Sequence, residues 1–178
     1  MRTDPDLAFE RSLWKSGLKY VAGLDEAGRG ALAGPVAVGA VILPQGAQWL
    51  SRRRPGAGDL RNRHSTHRST KIGVEATNAS LLRGVRDSKQ MTLRQRELAA
   101  PRIKQFALAW SVGFASAEEI DSQGIVPATR LAALRALQDL GVLPDYLLTD
   151  FRLELPELDI CQTALVKGDV LCMSIAAA

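Results

Sequence analysis

The sequence predicts an α/β domain, a mixed central sheet of about five strands flanked by helices. Five short apolar runs, at 20–25, 35–43, 108–115, 146–150 and 160–166, have strand length and polar, glycine or proline boundaries. The first two are joined by a short glycine turn, as in a hairpin, whereas helical stripes separate the later ones. At 178 residues the chain amounts to one domain with a single sizeable core.

The elements follow in order. Leu7, Phe9, Leu13, Trp14 and Leu18 form an imperfect helical stripe over 7–19, which Gly17 can end early. Tyr20 to Leu24 reads as a strand, and Val36 to Leu43, after Pro35, as a second buried strand. Thr92 and Gln95 have the spacing of a capping box and open a helix to about Gln105, with Pro101 expected to kink or divide it. Leu108 to Ala115 supplies the third strand. Ser116 with Glu119 repeats the capping pattern, and Pro127 suits the first turn of the next helix. Leu131, Leu134, Leu137 and Leu140, with Ala128, Ala132, Ala133 and Ala136, are its expected packing face, and Gly141 its stop. Tyr146 to Asp150 and Ile160 to Val166 complete the strands.

Charge is unevenly spread. Between Gly46 and Arg83 stand Arg52, Arg53, Arg54, Arg61, Arg63, Arg68, Lys71 and Arg83 against Asp59 and Glu75, a local excess of six on a chain whose net charge is +4. The remainder is therefore at −2. This pattern-poor stretch is expected to be a flexible basic insertion, either solvated without a role or adding salt-sensitive phosphate contacts. His64 and His67 within it have helical spacing but no helical pattern to support a metal site. Cys161 and Cys172 lack metal-ligand spacing and are expected reduced. No apolar run approaches a membrane span, and the acidic N-terminus lacks a signal-peptide layout, so the expectation is a cytoplasmic protein.

Site chemistry concentrates in Gly23-Leu24-Asp25-Glu26-Ala27-Gly28-Arg29-Gly30. Successive strand side chains point to opposite faces, so Asp25 and Glu26 reach a common cation only if the strand ends there. Gly28 and Gly30 permit positive φ and close approach to a ligand, and Arg29 offers a fork of donors suited to phosphate. A dinucleotide-binding fingerprint would need a helix to open at these glycines, whereas a strand follows Pro35. A helix between strands, with the next strand ending in Asp150, can bring that acid to the same end of the sheet. Asp169, after Lys167-Gly168, is a helix N-cap by itself and a ligand candidate in company with the other three.

These residues resemble the motifs of the ribonuclease HII family. Asp25-Glu26-Ala27-Gly28-Arg29-Gly30 with Leu32-Ala33-Gly34-Pro35-Val36 is similar to its signature. Asp87-Ser88-Lys89 resembles its DSK motif, Val112-Gly113-Phe114-Ala115-Ser116 through Glu119-Ile120-Asp121 its next segment, Leu147-Leu148-Thr149-Asp150 its acidic strand, and Val166-Lys167-Gly168-Asp169 with Ser174-Ile175-Ala176-Ala177-Ala178 its last motif.

The resemblance implies a ribonuclease H-like fold and an endonuclease acting on the RNA strand of RNA–DNA hybrids, including single ribonucleotides embedded in duplex DNA. It implies that Asp25, Glu26, Asp150 and Asp169 are the catalytic and metal-binding residues for two Mg²⁺ or Mn²⁺ ions, an all-oxygen set that suits these cations. It also implies that Gly28, Arg29, Gly30, Ser88 and Lys89 bind substrate, the glycine–arginine turn reading the ribose 2′-hydroxyl. Cleavage would leave 5′-phosphate and 3′-hydroxyl ends, and the protein would be monomeric. The family continues beyond the helix at Ser174–Ala178 and carries a junction-stacking tyrosine there. The expectation is accordingly a single catalytic domain over 1–178 with C-terminal helices missing, the alternative being a weakly active or inactive nucleic-acid-binding remnant.

Overall fold

The computed structural model describes residues 4–45, 82–150 and 153–178. Most of the basic segment expected at 46–83, including Arg52, Arg53, Arg54, His64 and His67, lies outside the described residues. Its far end does not belong to a solvated loop, because Leu82 is buried against Met91, Ala99 and Phe106.

The first helix, α1 (Ala8–Lys15), stops two residues before Gly17, which takes φ +99°. β1 (Val21–Ala27) and β2 (Val36–Ile42) pair antiparallel, and β2 pairs antiparallel with β3 (Ala109–Ala115). On its other side β1 runs parallel to β4 (Tyr146–Asp150), which runs parallel to β5 (Gln162–Leu165). The result is one five-stranded mixed sheet in the order β3-β2-β1-β4-β5. The expected architecture is therefore observed.

A single turn at Ser88–Gln90 precedes α2 (Leu93–Phe106). Thr92 and Gln95 form the expected reciprocal cap: the Gln95 amide donates to Thr92 Oγ1, and the Thr92 amide to Gln95 Oε1. Pro101 does not divide this helix, which is one element from Leu93 to Phe106. Glu97, whose carbonyl lacks the Pro101 N–H, and Pro101 itself are both exposed, so water can take the freed acceptor. Ser116 and Glu119 likewise cap α3 (Ala117–Gln123), which leads through Gly124 into α4 (Ile125–Asp139).

The packing face of α4 differs from the expected one. Ala128, Thr129, Ala132, Ala133, Ala136 and Leu140 are buried, whereas Leu131, Leu134 and Leu137 are half-buried. The reason is close approach. A Cβ on Gly113 of β3 would overlap the Ala132 carbonyl and the Ala136 amide, so only small side chains fit between helix and sheet. Ser111 Oγ donates to the Ala136 carbonyl at 2.6 Å across the same contact. This face, with Leu24, Val38, Ile42 and Leu147, is the larger core.

The opposite face carries α1, α2 and two short helices, α5 (Gly168–Leu171) and α6 (Met173–Ala177). Here too glycines admit backbone: Gly23 lies against Ser174 and Gly39 against Ala178. Trp110, Val112 and Phe114 of β3 remain exposed on this side, Trp110 with the Lys104 ammonium 4.2 Å from its ring centroid. No helix among the described residues is long and apolar enough to cross a membrane.

Candidate active site

Parallel pairing places the site. β1 and β4 are aligned with Leu24 beside Thr149, so the next residues, Asp25 and Asp150, emerge together at their carboxyl ends. Crevices at that end of parallel strands are where open α/β sheets bind ligands. β1 itself does not end at Leu24, as convergence of Asp25 and Glu26 was expected to require. It continues to Ala27, paired with β2 alone. Its free edge beyond Leu24 lets the Glu26 carboxylate join the other two despite the alternation of faces. One oxygen each of Asp25, Glu26 and Asp150 lie within 4.8 Å of one another.

Each acid is held. Asp25 Oδ1 accepts the Glu26 amide at 2.9 Å, and Asp150 Oδ1 accepts the Gly168 amide at 2.8 Å. That second bond depends on Lys167, a non-glycine residue in the left-handed region at φ 59°, ψ 47°. This conformation costs roughly 1–2 kcal/mol and turns the chain from β5 into α5, aiming the Gly168 N–H at Asp150. Asp169 is not the cap of α5, because Lys167 holds that place without a side-chain bond. It lies in the helix's first turn, outside the 4.8 Å set, facing Asp150 and Asp87.

The electrostatics are those of crowded carboxylates whose mutual repulsion the basic groups at the rim offset only in part. Burial, then Glu26, Asp150 and Asp169, push the Asp25 carboxyl up to about 7 against the lowering pull of the Glu26 N–H. Burial, then Asp87 and Asp150, push Asp169 up to about 6, partly offset by Lys89. Glu26 Oε2 is buried and meets no donor among the described residues. An orphaned carboxylate oxygen beside two more acids fits a hard divalent cation, which takes oxygen ligands and removes the repulsion.

Basic groups rim the cleft. Arg29 Nη1 lies 3.4 Å from Glu26 Oε1, and Lys89 and Lys167 line the same cleft as Glu26, Asp150 and Asp169. Ser88 lines an adjoining groove with Asp25 and Glu26. The Arg96 guanidinium fixes the turn carrying Ser88 and Lys89 by donating to the carbonyls of Ser88 (3.0 Å) and Met91 (2.8 Å). Of the two turn glycines, only Gly28 takes the expected positive φ, at +89°, where a Cβ would also collide with the Pro35 carbonyl. Gly30 does not; it borders open space.

Asp87 is the residue that reading strand ends overlooked. Its carboxylate accepts the Lys89 amide at 2.9 Å and Gln90 Nε2 at 3.1 Å, and its negative charge helps push the Asp169 carboxyl up. The signal was there, an aspartate just before Ser88-Lys89 with the reach of an Asx turn.

Known proteins agree with this architecture. A crystal structure of ribonuclease H2 from Pyrococcus horikoshii OT3 matches 89% of this chain and 68% of its own length at TM-score 0.60 and 21% identity. Bst-RNase HIII in complex with Mn²⁺ matches 89% of this chain and 49% of its own at TM-score 0.55 and 18% identity. The molecule is thus an α/β protein of the ribonuclease H-like fold with an acidic centre at its parallel strand ends. No protein-family model matches the sequence. A curated ribonuclease HII from Dehalococcoides mccartyi is 39% identical over 98% of this chain, which spans 68% of that relative. The chain belongs to the ribonuclease HII family, a family of endoribonucleases.

Proposed function

We propose that this chain hydrolyses the RNA strand of RNA–DNA hybrids, including single ribonucleotides embedded in duplex DNA, and leaves 5′-phosphate and 3′-hydroxyl ends. The observation that carries the reading is the convergence of Asp25, Glu26 and Asp150 within 4.8 Å at the strand ends of a ribonuclease HII family member.

In this reading Asp25, Glu26, Asp150 and Asp169 hold two divalent ions, Mg²⁺ or Mn²⁺; the solved Mn²⁺ complex of Bst-RNase HIII supports the ion type. Such ions, when bound, favour ionised water at neutral pH and offset charge on the scissile phosphate. The protein's own groups do the rest. Arg29 and Lys89 hold phosphate from the rim, and Ser88 adds a hydroxyl beside them. Gly28 and Gly30 let backbone approach the ribose 2′-hydroxyl, which distinguishes RNA from DNA. The protein would act as a monomer in the cytoplasm.

The test is a cleavage assay on duplex DNA carrying one ribonucleotide, with Mg²⁺, with Mn²⁺ and with chelator. Cutting at the 5′ side of the ribonucleotide, only with metal and lost in Asp25→Asn, is the expected result. Full cleavage by that variant refutes the assignment. Salt-sensitive binding that leaves the duplex whole would instead favour a nucleic-acid-binding remnant.

A further inference from the structure

Glu10 of α1 has no exposed surface and reaches the start of α6. Its Oε1 accepts the Ser174 amide at 2.7 Å and the Cys172 thiol at 3.0 Å, while Oε2 meets no donor among the described residues. A buried acceptor left unpaired costs about 1–3 kcal/mol, so net stabilisation does not account for a glutamate here.

What it caps offers the account. α5 lasts one turn and breaks at Cys172, whose backbone is extended at φ −116°, ψ 128°. α6 therefore starts afresh, with leading amides that have no helical partner. Segment 6–10 takes the first two. The Met173 amide donates to the Asp6 carbonyl at 2.9 Å, and the Ser174 amide to Glu10. The Ser174 backbone also rests on Gly23, where any Cβ would overlap it. Ser174 thus touches both Glu10 and the strand that presents Asp25, and the same stretch of chain presents Asp169 just upstream.

We propose that Glu10 is a positioning residue: by capping Ser174 it fixes the α5–α6 break, hence the place of Asp169 relative to Asp25 and Asp150, and so sets divalent-ion affinity. The inference rests on the reading of those acids as ion ligands. It depends on the reach of the side chain and not on its charge. Glu10→Gln keeps the reach and loses the charge; Glu10→Asp keeps the charge and is one methylene short of the amide.

Mn²⁺ binding to the full chain, followed by calorimetry without nucleic acid, separates the two. Glu10→Gln should bind within about twofold of the parent and Glu10→Asp about tenfold more weakly. Gly113→Ala, which disturbs the opposite face of the sheet, should lower the melting temperature without weakening Mn²⁺. Equal binding by Glu10→Asp and parent, or a loss in Glu10→Gln as large as in Glu10→Asp, overturns the proposal. So does a Gly113→Ala variant whose Mn²⁺ affinity falls with its stability. Amide exchange in the parent tests the same coupling if the aspartate variant fails to fold. Because coupling is reciprocal, Mn²⁺ should slow exchange at Ser174 more than at Val38. Equal slowing overturns the proposal too. A parent that binds no Mn²⁺ refutes the ion reading itself, and this inference with it.

Discussion

Asp25→Asn should make the metal-free protein more stable at neutral pH while removing its activity. The Asp25 carboxyl is raised from 3.8 to about 7, first by burial and then by Glu26, Asp150 and Asp169. A raised carboxyl means that, between about pH 4 and 7, the folded state keeps a proton the unfolded chain has released. Stability therefore falls as pH climbs through that window, and the whole penalty stands above it. At about 1.4 kcal/mol per pH unit, the three-unit gap sets a ceiling of about 4 kcal/mol. The variant recovers only part of this, because an amide in the same place is still desolvated. A gain of roughly 2 kcal/mol corresponds to a rise of about 4–8 °C in melting temperature for a domain of this size. The assay is thermal unfolding by circular dichroism in chelator at pH 8 and pH 4, for parent and variant. The gain should appear at pH 8 and vanish near pH 4, and saturating Mg²⁺ should stabilise the parent far more than the variant. An asparagine variant no more stable than the parent at pH 8, or equally stabilised at both pH values, would refute the picture of repelling carboxylates.

Other expectations follow from single contacts. Lys89→Ala and Arg29→Ala should each raise KM and reduce the salt slope of duplex binding by about one, read by titration at several salt concentrations. Gly113→Ala should cost about 1–3 kcal/mol in denaturant unfolding, because its Cβ meets the α4 backbone. Burial pushes the Cys172 thiol far up while Cys161 is exposed, so an alkylating reagent at pH 8 should label one thiol in the native protein and both after unfolding. Asp87→Asn keeps an acceptor for the Lys89 amide and removes a negative charge beside Asp169. Titration of activity should show a changed Mg²⁺ requirement with little change in melting temperature.

The elements and most of the candidate site's residues are legible along the chain. Capping at Thr92 and Ser116, the stop at Gly141 and five strand-length runs are local signals, set by hydrogen bonds and torsions within a few residues of each other. Asp25, Glu26, Asp150 and Asp169 stood out because each follows or ends an apolar run, and the family resemblance supplied their company. How they meet is a property of the packed molecule. Asp25 and Asp150 are neighbours through parallel register, which belongs to a pair of strands and to neither alone. Glu26 joins them through an edge left open by β4. Asp87 faces Asp169 across a cleft whose walls are far apart along the chain. The alanine face of α4 won over the leucines because Gly113 on another element allows close contact. Glu10, unremarked as one polar position on an amphipathic helix, gains its partners only when Cys172 and Ser174 arrive from the far end. Local chemistry can be read along a chain; who stands opposite whom is settled by packing, where distance along the sequence no longer counts.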